Sequence, residues 1–192
     1  MSQIIIGADG MEYVIEPNAD LSQADLRDVN LFQSNLINAD LSETTLINTN
    51  LRNSYLQGSN FDGTDLRNAY LVGASMLGVK LNFAILSGME LNGFDLTHSE
   101  MRYANLDFTH LQNAILNNSD MKGASFYQAD LTEAQLQGAD LSDANLNECI
   151  LLEANLNSAN LRFCNLSNTD LTNIKYNDDT IWPEGFKPPV SK

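Results

Sequence analysis

Basic residues are scarce in this sequence. Its 192 residues include 10 lysines and arginines against 25 aspartates and glutamates, which gives a formal net charge of −15 at pH 7. A protein that binds nucleic-acid phosphates needs clustered lysine and arginine side chains. The composition therefore argues against direct binding of DNA or RNA, and it favours a partner that a negatively charged surface attracts.

Long hydrophobic runs are also lacking. No apolar stretch approaches the roughly 20 residues that a membrane-spanning helix requires. The first residues contain no basic segment and only a short apolar run, Ile4–Ile6, so they do not resemble a signal peptide. We therefore predict a soluble cytoplasmic protein with no membrane partner.

Cysteine and histidine are limited to two residues each. Cys149 and Cys164 stand where the repeating pattern otherwise has alanine, serine or threonine, which indicates small buried residues rather than a disulfide or a reactive pair. His98 and His110 have no cysteine or second histidine at ligand spacing. No nucleophile with its base and no glycine-rich phosphate loop is present. We predict no catalytic residue, no metal site and no cofactor.

What the chain does have is a repeat. A leucine, phenylalanine or methionine recurs at every fifth position from Leu21 to Leu171 without a slip. We call these the central residues. A period of five fits neither the 3.6-residue period of a helix nor the two-residue period of a strand. The chain must therefore turn about once per five residues and stack into coils.

The residue two before the centre is small in nearly all repeats, as at Ala39, Ser54 and Thr64. We expect it to point inward, because a narrow coil has room for one large and one small side chain per repeat. The aspartate or asparagine directly before the centre, and the two variable residues after it, are expected to face solvent.

The pattern A-(D/N)-L-x-x, as in residues 139–146 (ADLSDANL), resembles the pentapeptide repeat family and in particular its cyanobacterial-type members. The resemblance covers about four fifths of the chain. It implies an all-β fold, a single right-handed quadrilateral β-helix of about eight coils, with four repeats per coil. One side of that helix would have as its core Leu21, Leu41, Phe61, Leu81, Met101, Met121, Leu141 and Leu161.

The ends of the repeat need caps, because a terminal coil otherwise exposes its core. We predict an N-terminal cap at residues 1–18, the repeat helix at 19–175, and a C-terminal cap and tail at 176–192. Two short β-prone runs in the first segment, separated by Asp9-Gly10, indicate a hairpin or a strand with an irregular lid. Trp182 and Phe186 are expected to fold over the last coil.

With four repeats per coil, residues 20 apart in sequence become stacked neighbours. Glu100, Asp120 and Asp140 would then form a ladder of carboxylates, a ligand type that suits Ca²⁺ or Mg²⁺. Arg102 and Lys122 lie two residues along and can neutralise it. We interpret this face as a solvated charged surface.

The repeat is least regular between residues 79 and 115. The small interior position there admits Val79, Met89 and Phe94. The outward positions nearby carry a set of large side chains that we predict to be a candidate interface, namely Phe83, Ile85, Tyr103, Phe108 and Tyr127. The alternative is an aromatic ladder that only stabilises the stack.

The sequence predicts a non-catalytic scaffold that presents a rigid acidic rod to another protein, whose identity it does not give; a second copy of the chain is a further partner to consider. The alternative is a DNA mimic, because some members of the resembled family act on bacterial DNA gyrase in this way. The charge sign suits mimicry, although the charge density is only about half that of duplex DNA.

Overall fold

The computed structural model describes residues 3–190. Residues 1, 2, 191 and 192, which belong to the two predicted caps, lie outside the described residues. Strand β1 (Gln3–Ile6) and strand β2 (Glu12–Ile15) form an antiparallel hairpin. Every later element is an isolated bridge residue followed by its turn, and no residue in 3–190 is helical. The predicted all-β class is confirmed, and no helix that could span a membrane exists in this range.

The bridges show how the repeats stack. Most bridge residues pair in parallel with the residue 20 positions later, beginning with Asp20 and Asp40. Tyr70 and Ser75 form no such bridge to the following coil, and Asn160 pairs with Ile181, 21 positions later. Asp40 N–H donates to the Ala19 carbonyl at 2.8 Å, and Leu21 N–H donates to the Asp40 carbonyl at 2.7 Å. Because 20 residues contain four five-residue repeats, each coil has four sides that meet at four corners.

The corners are β-turns with a fixed backbone conformation. At the first, the Leu21 carbonyl accepts the Ala24 N–H at 3.1 Å. The third residue of each turn has positive φ, at every fifth residue from Gln23 to Asn173, as a type II turn requires. Asp20 Oδ1 accepts the Ser22 N–H at 3.1 Å. This bond explains why aspartate or asparagine precedes the centre so often, since both side chains bond to the backbone two residues on.

The central residues fill the interior of the coils. The members of the predicted core, Leu21, Leu41, Phe61, Leu81, Met101, Met121, Leu141 and Leu161, are all buried. Beside them lie the small residues, and most of the polar ones donate to a backbone carbonyl, either on the preceding coil or in their own turn. The Thr49 hydroxyl, for example, donates to the Leu26 carbonyl at 2.6 Å. Burial of each leucine is worth roughly 1.5–3 kcal/mol.

Both ends of the stack are covered. The hairpin docks on the first coil, where Ala8 N–H donates to the Asp25 carbonyl at 2.8 Å and Ile15 is buried. At the other end Trp182 packs against the core. Its ring is edge-on to Tyr176 at 5.3 Å and stacked on Phe186 at 5.4 Å between centroids.

Candidate protein-interaction site

Two aromatic rings stack at one corner of the rod. The centroids of Phe83 and Tyr103 are 5.3 Å apart, with 15° between the ring planes. Their side chains are nevertheless 64% and 52% exposed. The Tyr103 ring leans onto Gly123 in the next coil, where an added Cβ would lie only 2.5 Å from the ring. Glycine at 123 therefore lets the ring lie flat against the stack.

These rings are held on a backbone that disfavours them. Phe83, Tyr103 and Phe108 occupy the third turn position with φ of 60°, 57° and 60°. A bulky side chain at positive φ is uncommon, and the left-handed conformation costs about 1–2 kcal/mol for residues other than glycine. Asparagine or glycine, which occupy many equivalent corners, would fit this backbone better. Every corner of the rod has this positive φ, so the backbone conformation itself belongs to the fold. The preference of that backbone does not select an aromatic residue, and the exposed rings need another explanation.

The other members of the predicted interface lie along the same side of the rod. Phe108 meets Tyr127 edge-on at 5.5 Å between centroids and an 80° angle. This pair occupies the far corner of the side that begins at Phe83. Ile85 lies between the two corners, where it bridges to Asp65 and Asn105, and is partly buried. The structure thus brings the five residues to one side as two ring pairs with Ile85 between them, which we call the aromatic side.

One exposed aromatic residue in the same column was missed from the sequence. Phe163 is 68% exposed and has φ of 63°. It stands three coils beyond Tyr103, and the 20-residue spacing would have located it. Asp143 lies between it and Gly123, so Phe163 is separate from the ring pairs.

The predicted carboxylate ladder is present but is partly neutralised. Glu100, Asp120 and Asp140 bridge to each other in succession. The Arg102 guanidinium lies 2.5 Å from Asp120, and Lys122 lies 3.4 Å from Asp143. Within residues 3–190 there is no group of three or more side chains that could hold a metal ion.

The cysteine and histidine residues are not arranged for chemistry. Cys149 and Cys164 are free and buried. Burial raises the pKa of the Cys149 thiol far above its ordinary value and that of Cys164 to about 12, so neither supplies a thiolate near neutral pH. His110 Nδ1 lies 2.7 Å from Glu90 Oε1. His98 sits in a turn on another side of the coil.

Comparison with known families identifies the repeat. The model of pentapeptide repeats matches residues 34–71, 59–97, 104–143 and 134–173, with eight copies. The chain is a pentapeptide repeat protein. No catalytic family is indicated, and a comparison with curated protein sequences found no match.

Solved structures of other pentapeptide repeat proteins are similar to this chain. HetL of the cyanobacterium Nostoc sp. strain PCC 7120, described as involved in heterocyst differentiation regulation, is 32% identical; the match covers 86% of this chain and 79% of HetL, with a TM-score of 0.40. A second pentapeptide repeat protein from Nostoc PCC 7120 is 31% identical over 57% of this chain and 74% of its own, with a TM-score of 0.30. QnrB1, a plasmid-mediated fluoroquinolone resistance protein, is 20% identical over 79% and 81%, with a TM-score of 0.46.

Proposed function

We propose that this pentapeptide repeat protein is a non-catalytic scaffold that binds another protein through its aromatic side. The observation that carries the proposal is the pair Phe83 and Tyr103, stacked and exposed on a backbone that favours glycine or asparagine. Tyrosine and phenylalanine are enriched in the buried centres of interfaces. The family also supports a binding role, since no catalytic family is indicated.

The partner should offer an apolar patch surrounded by basic residues. The ring pairs provide a flat apolar centre on the aromatic side, and the rod around it carries the net charge of −15. The net negative charge of the rod attracts a basic partner surface and speeds association at low salt. A second copy of this chain carries the same charge, so we place a different protein ahead of a homodimer.

Asparagine substitutions separate binding from folding. Phe83→Asn combined with Tyr103→Asn removes both rings and suits the positive φ, so the melting temperature should stay unchanged or rise. Affinity capture from the source cells, followed by direct titration of the captured protein, should show binding reduced at least about tenfold. Phe163→Asn, which removes an exposed ring from the same column, is the matched control and should bind normally.

The double variant also tests the alternative interpretation as a stabilising ladder. If the rings only support the stack, the variant should melt at a lower temperature and retain its partner. Unchanged capture and affinity in Phe83→Asn/Tyr103→Asn would remove the aromatic side as an interface.

DNA mimicry is the second candidate, and the acidity of the rod favours it. The net charge of −15 has the right sign, but Arg102 and Lys122 interrupt the most acidic column. We therefore expect no inhibition or protection of purified DNA gyrase in a supercoiling assay at micromolar protein. Inhibition that weakens with added salt would instead favour mimicry over the scaffold.

The finer features of the fold and location are part of the same proposal. We propose a right-handed helix of about eight coils in a cytoplasmic protein. A crystal structure would test the hand and the number of coils, and fractionation of the source cells would test the location.

A further inference from the structure

The backbone ladder between two successive coils is open along one side, across two consecutive corners. On the first of these coils four N–H groups that would be expected to donate to the next coil have no partner within residues 3–190, those of Asn68, Leu71, Gly73 and Met76. One coil earlier, the equivalent groups of Asn48, Leu51, Asn53 and Leu56 all donate across to the next coil, at 2.9 to 3.2 Å. We call residues 68–76 and the facing residues 87–95 the open seam.

The facing edge of the seam is unpaired as well. Its carbonyls at Ser87, Glu90, Asn92 and Asp95 accept no hydrogen bond from the described residues, and the N–H groups of Glu90 and Asp95 do not reach Ala69 and Ala74. The ladder resumes on both sides, where Leu66 donates to Ile85 at 2.9 Å and Gly78 donates to Thr97 at 3.1 Å. The seam is therefore a gap between two coils that is closed by backbone hydrogen bonds at both ends.

Side-chain volume explains the opening. Met89 and Phe94 stand at consecutive small interior positions, in columns whose neighbours on the preceding coil are Ala69 and Ala74. A well-packed interior that receives extra volume shifts its backbone. The coil that contains Met89 keeps its bonds to the following coil, as His110 N–H donates to the Met89 carbonyl at 2.9 Å. The extra volume is therefore accommodated on one edge only.

Stacked asparagine and glycine residues give an independent measure of the separation. Where asparagine lies below a glycine, as at Asn38 and Gly58, the amide fills the space that a Cβ on the glycine would need. The same is true of Asn53 below Gly73 and Asn118 below Gly138. Gly88 lies above Asn68, yet no atom lies within 4 Å of the position that a Cβ on Gly88 would occupy. The two coils have therefore moved apart at the seam.

The opening forms two adjoining clefts with an apolar floor and an acidic rim. One, of about 370 Å³, is lined by Val72, Phe94, Glu90 and Asp95 among others. The other, of about 430 Å³, is lined by residues that include Met89. None of the described residues that line either cleft is a lysine or arginine. A ligand there meets free backbone donors and acceptors, apolar side chains and two carboxylates.

We propose that the open seam binds a short extended peptide segment of another protein, one that carries lysine or arginine. An unpaired strand edge is a template for a further strand, whose backbone supplies the alternating N–H and C=O groups that the edge lacks. Alternate side chains of that strand would rest on Val72 and Phe94. A basic side chain between them would meet Glu90 and Asp95. This site adjoins the aromatic side at one corner, because Phe108 lies 20 residues after Gly88 in the same column.

A designed peptide tests the seam directly. Fluorescein-labelled acetyl-(Lys-Val)₄-amide should bind the wild-type protein in an anisotropy titration, with a dissociation constant below about 100 µM. Hydrogen exchange of the Leu71, Gly73 and Glu90 amides should slow when the peptide is added. The same peptide with alternate amides N-methylated keeps its charge but loses half of its donors, and it should not bind.

Variants show whether the seam is the site. Met89→Ala combined with Phe94→Ala restores small interior residues, so the ladder should close and the affinity should fall at least about tenfold. The same amides should then be protected without peptide. Val79→Ala removes volume from another small interior position where the ladder is intact, since Lys80 N–H donates to Ser59 at 3.0 Å, and it should bind normally. Phe94→Ala alone serves if the double variant does not fold.

Three results would overturn the proposal. The first is an absence of binding at about 1 mM peptide. The second is equal binding of the N-methylated peptide, which would mean attraction by charge alone. The third is unchanged affinity in the Met89→Ala/Phe94→Ala variant, which would mean that the peptide binds outside the seam. Slower hydrogen exchange of amides on the aromatic side would then identify that side as the binding surface.

Discussion

A buried hydroxyl at the small interior position is acceptable where a backbone carbonyl accepts from it, on the preceding coil or in its own turn. Thr49 donates to Leu26, and Thr64 donates to Leu41, each at 2.6 Å. Ser34 is different, because its buried hydroxyl has no partner within residues 3–190. An unsatisfied buried polar group destabilises a fold, whereas a paired one contributes modestly to it. A buried hydroxyl therefore stabilises the fold at Thr49 and destabilises it at Ser34.

Paired substitutions at these two positions should change stability in opposite directions. Thr49→Val keeps the shape but loses a hydrogen bond, and the free energy of unfolding should fall by about 1 kcal/mol. Ser34→Ala removes an unpaired hydroxyl and should leave that free energy unchanged or raise it. Urea unfolding followed by circular dichroism measures both. A loss of stability in Ser34→Ala as large as in Thr49→Val would contradict this account.

Single residues also set part of the pH dependence. Arg67 lies against Asp65, with Nη2 to Oδ2 at 2.6 Å, and this hydrogen-bonded guanidinium lowers the pKa of the Asp65 carboxyl below its ordinary value. A lowered pKa in the folded state means that the stabilisation is fully present above about pH 3.9. It is lost as the pH falls through the lower, folded-state pKa.

Asp65→Asn should therefore reduce the loss of stability in acid. Asparagine can still accept the Arg67 N–H, which lies 3.2 Å from Oδ1 in the native turn. The difference in urea midpoint between wild type and variant should shrink as the pH is lowered from 6 towards 2. A difference that stays constant over this range would show that the ion pair contributes nothing to the pH dependence.

A coil is stabilised chiefly by the coils on either side of it. Leu46 is fully buried between neighbouring coils, whereas Leu166, near the end of the stack, is only partly buried. In repeat proteins stability is close to a sum of repeat and nearest-neighbour terms. Identical changes should therefore have unequal effects along the rod.

Leucine truncation measures this gradient. Leu46→Ala should lower the free energy of unfolding by about 2–5 kcal/mol. Leu166→Ala should lower it by clearly less, because less buried surface is lost. Thermal and urea unfolding of the two variants gives the comparison. Equal losses would mean that the terminal coil is as well packed as the interior.

For the molecule as a whole, the aromatic side and the open seam lie on adjacent sides of the rod and share one corner column, that of Asn68, Gly88 and Phe108. The Phe83 and Tyr103 corner follows the central residue Leu81, whereas the seam corner at Gly73 and Gly93 follows Leu71 and Leu91. With four corners per coil, these two are diagonally opposite. A partner that contacts only Phe83 and Tyr103 therefore leaves the Gly73 and Gly93 end of the seam open, whereas one that also covers Phe108 reaches the near end of the seam.

Independence of the two sites is testable with variants already described. Phe83→Asn/Tyr103→Asn should bind the Lys-Val peptide as the wild type does, and Met89→Ala/Phe94→Ala should retain the captured partner. Both measurements use the same anisotropy and titration assays. Mutual loss of binding would show that the two surfaces form one site.

The five-residue period was sufficient to predict stacked coils and the inward central residues, because only turns at each repeat keep every leucine on one side of the chain. The all-β class followed from the resemblance to pentapeptide repeats. With four repeats per coil, the period also placed Phe83 one coil below Tyr103. It could not predict the seam. Val79 is as irregular in sequence as Met89 and Phe94, yet its ladder is intact. Met89 and Phe94 add side-chain volume at two consecutive corners of one coil, whereas Val79 adds it at one corner. How much added volume the corners can accommodate depends on the packing of the whole stack, which the sequence period does not describe.

The 20-residue step has a consequence for insertions and deletions. Removing 20 residues from the middle of the rod would shorten it by one coil, and every later side chain would keep its direction. Removing five would turn everything beyond the cut by a quarter revolution. Phe108 would then face a new direction relative to residues before the cut, although hardly any of its neighbours in the sequence had changed. The length of an insertion or deletion therefore decides which features of this surface share a side.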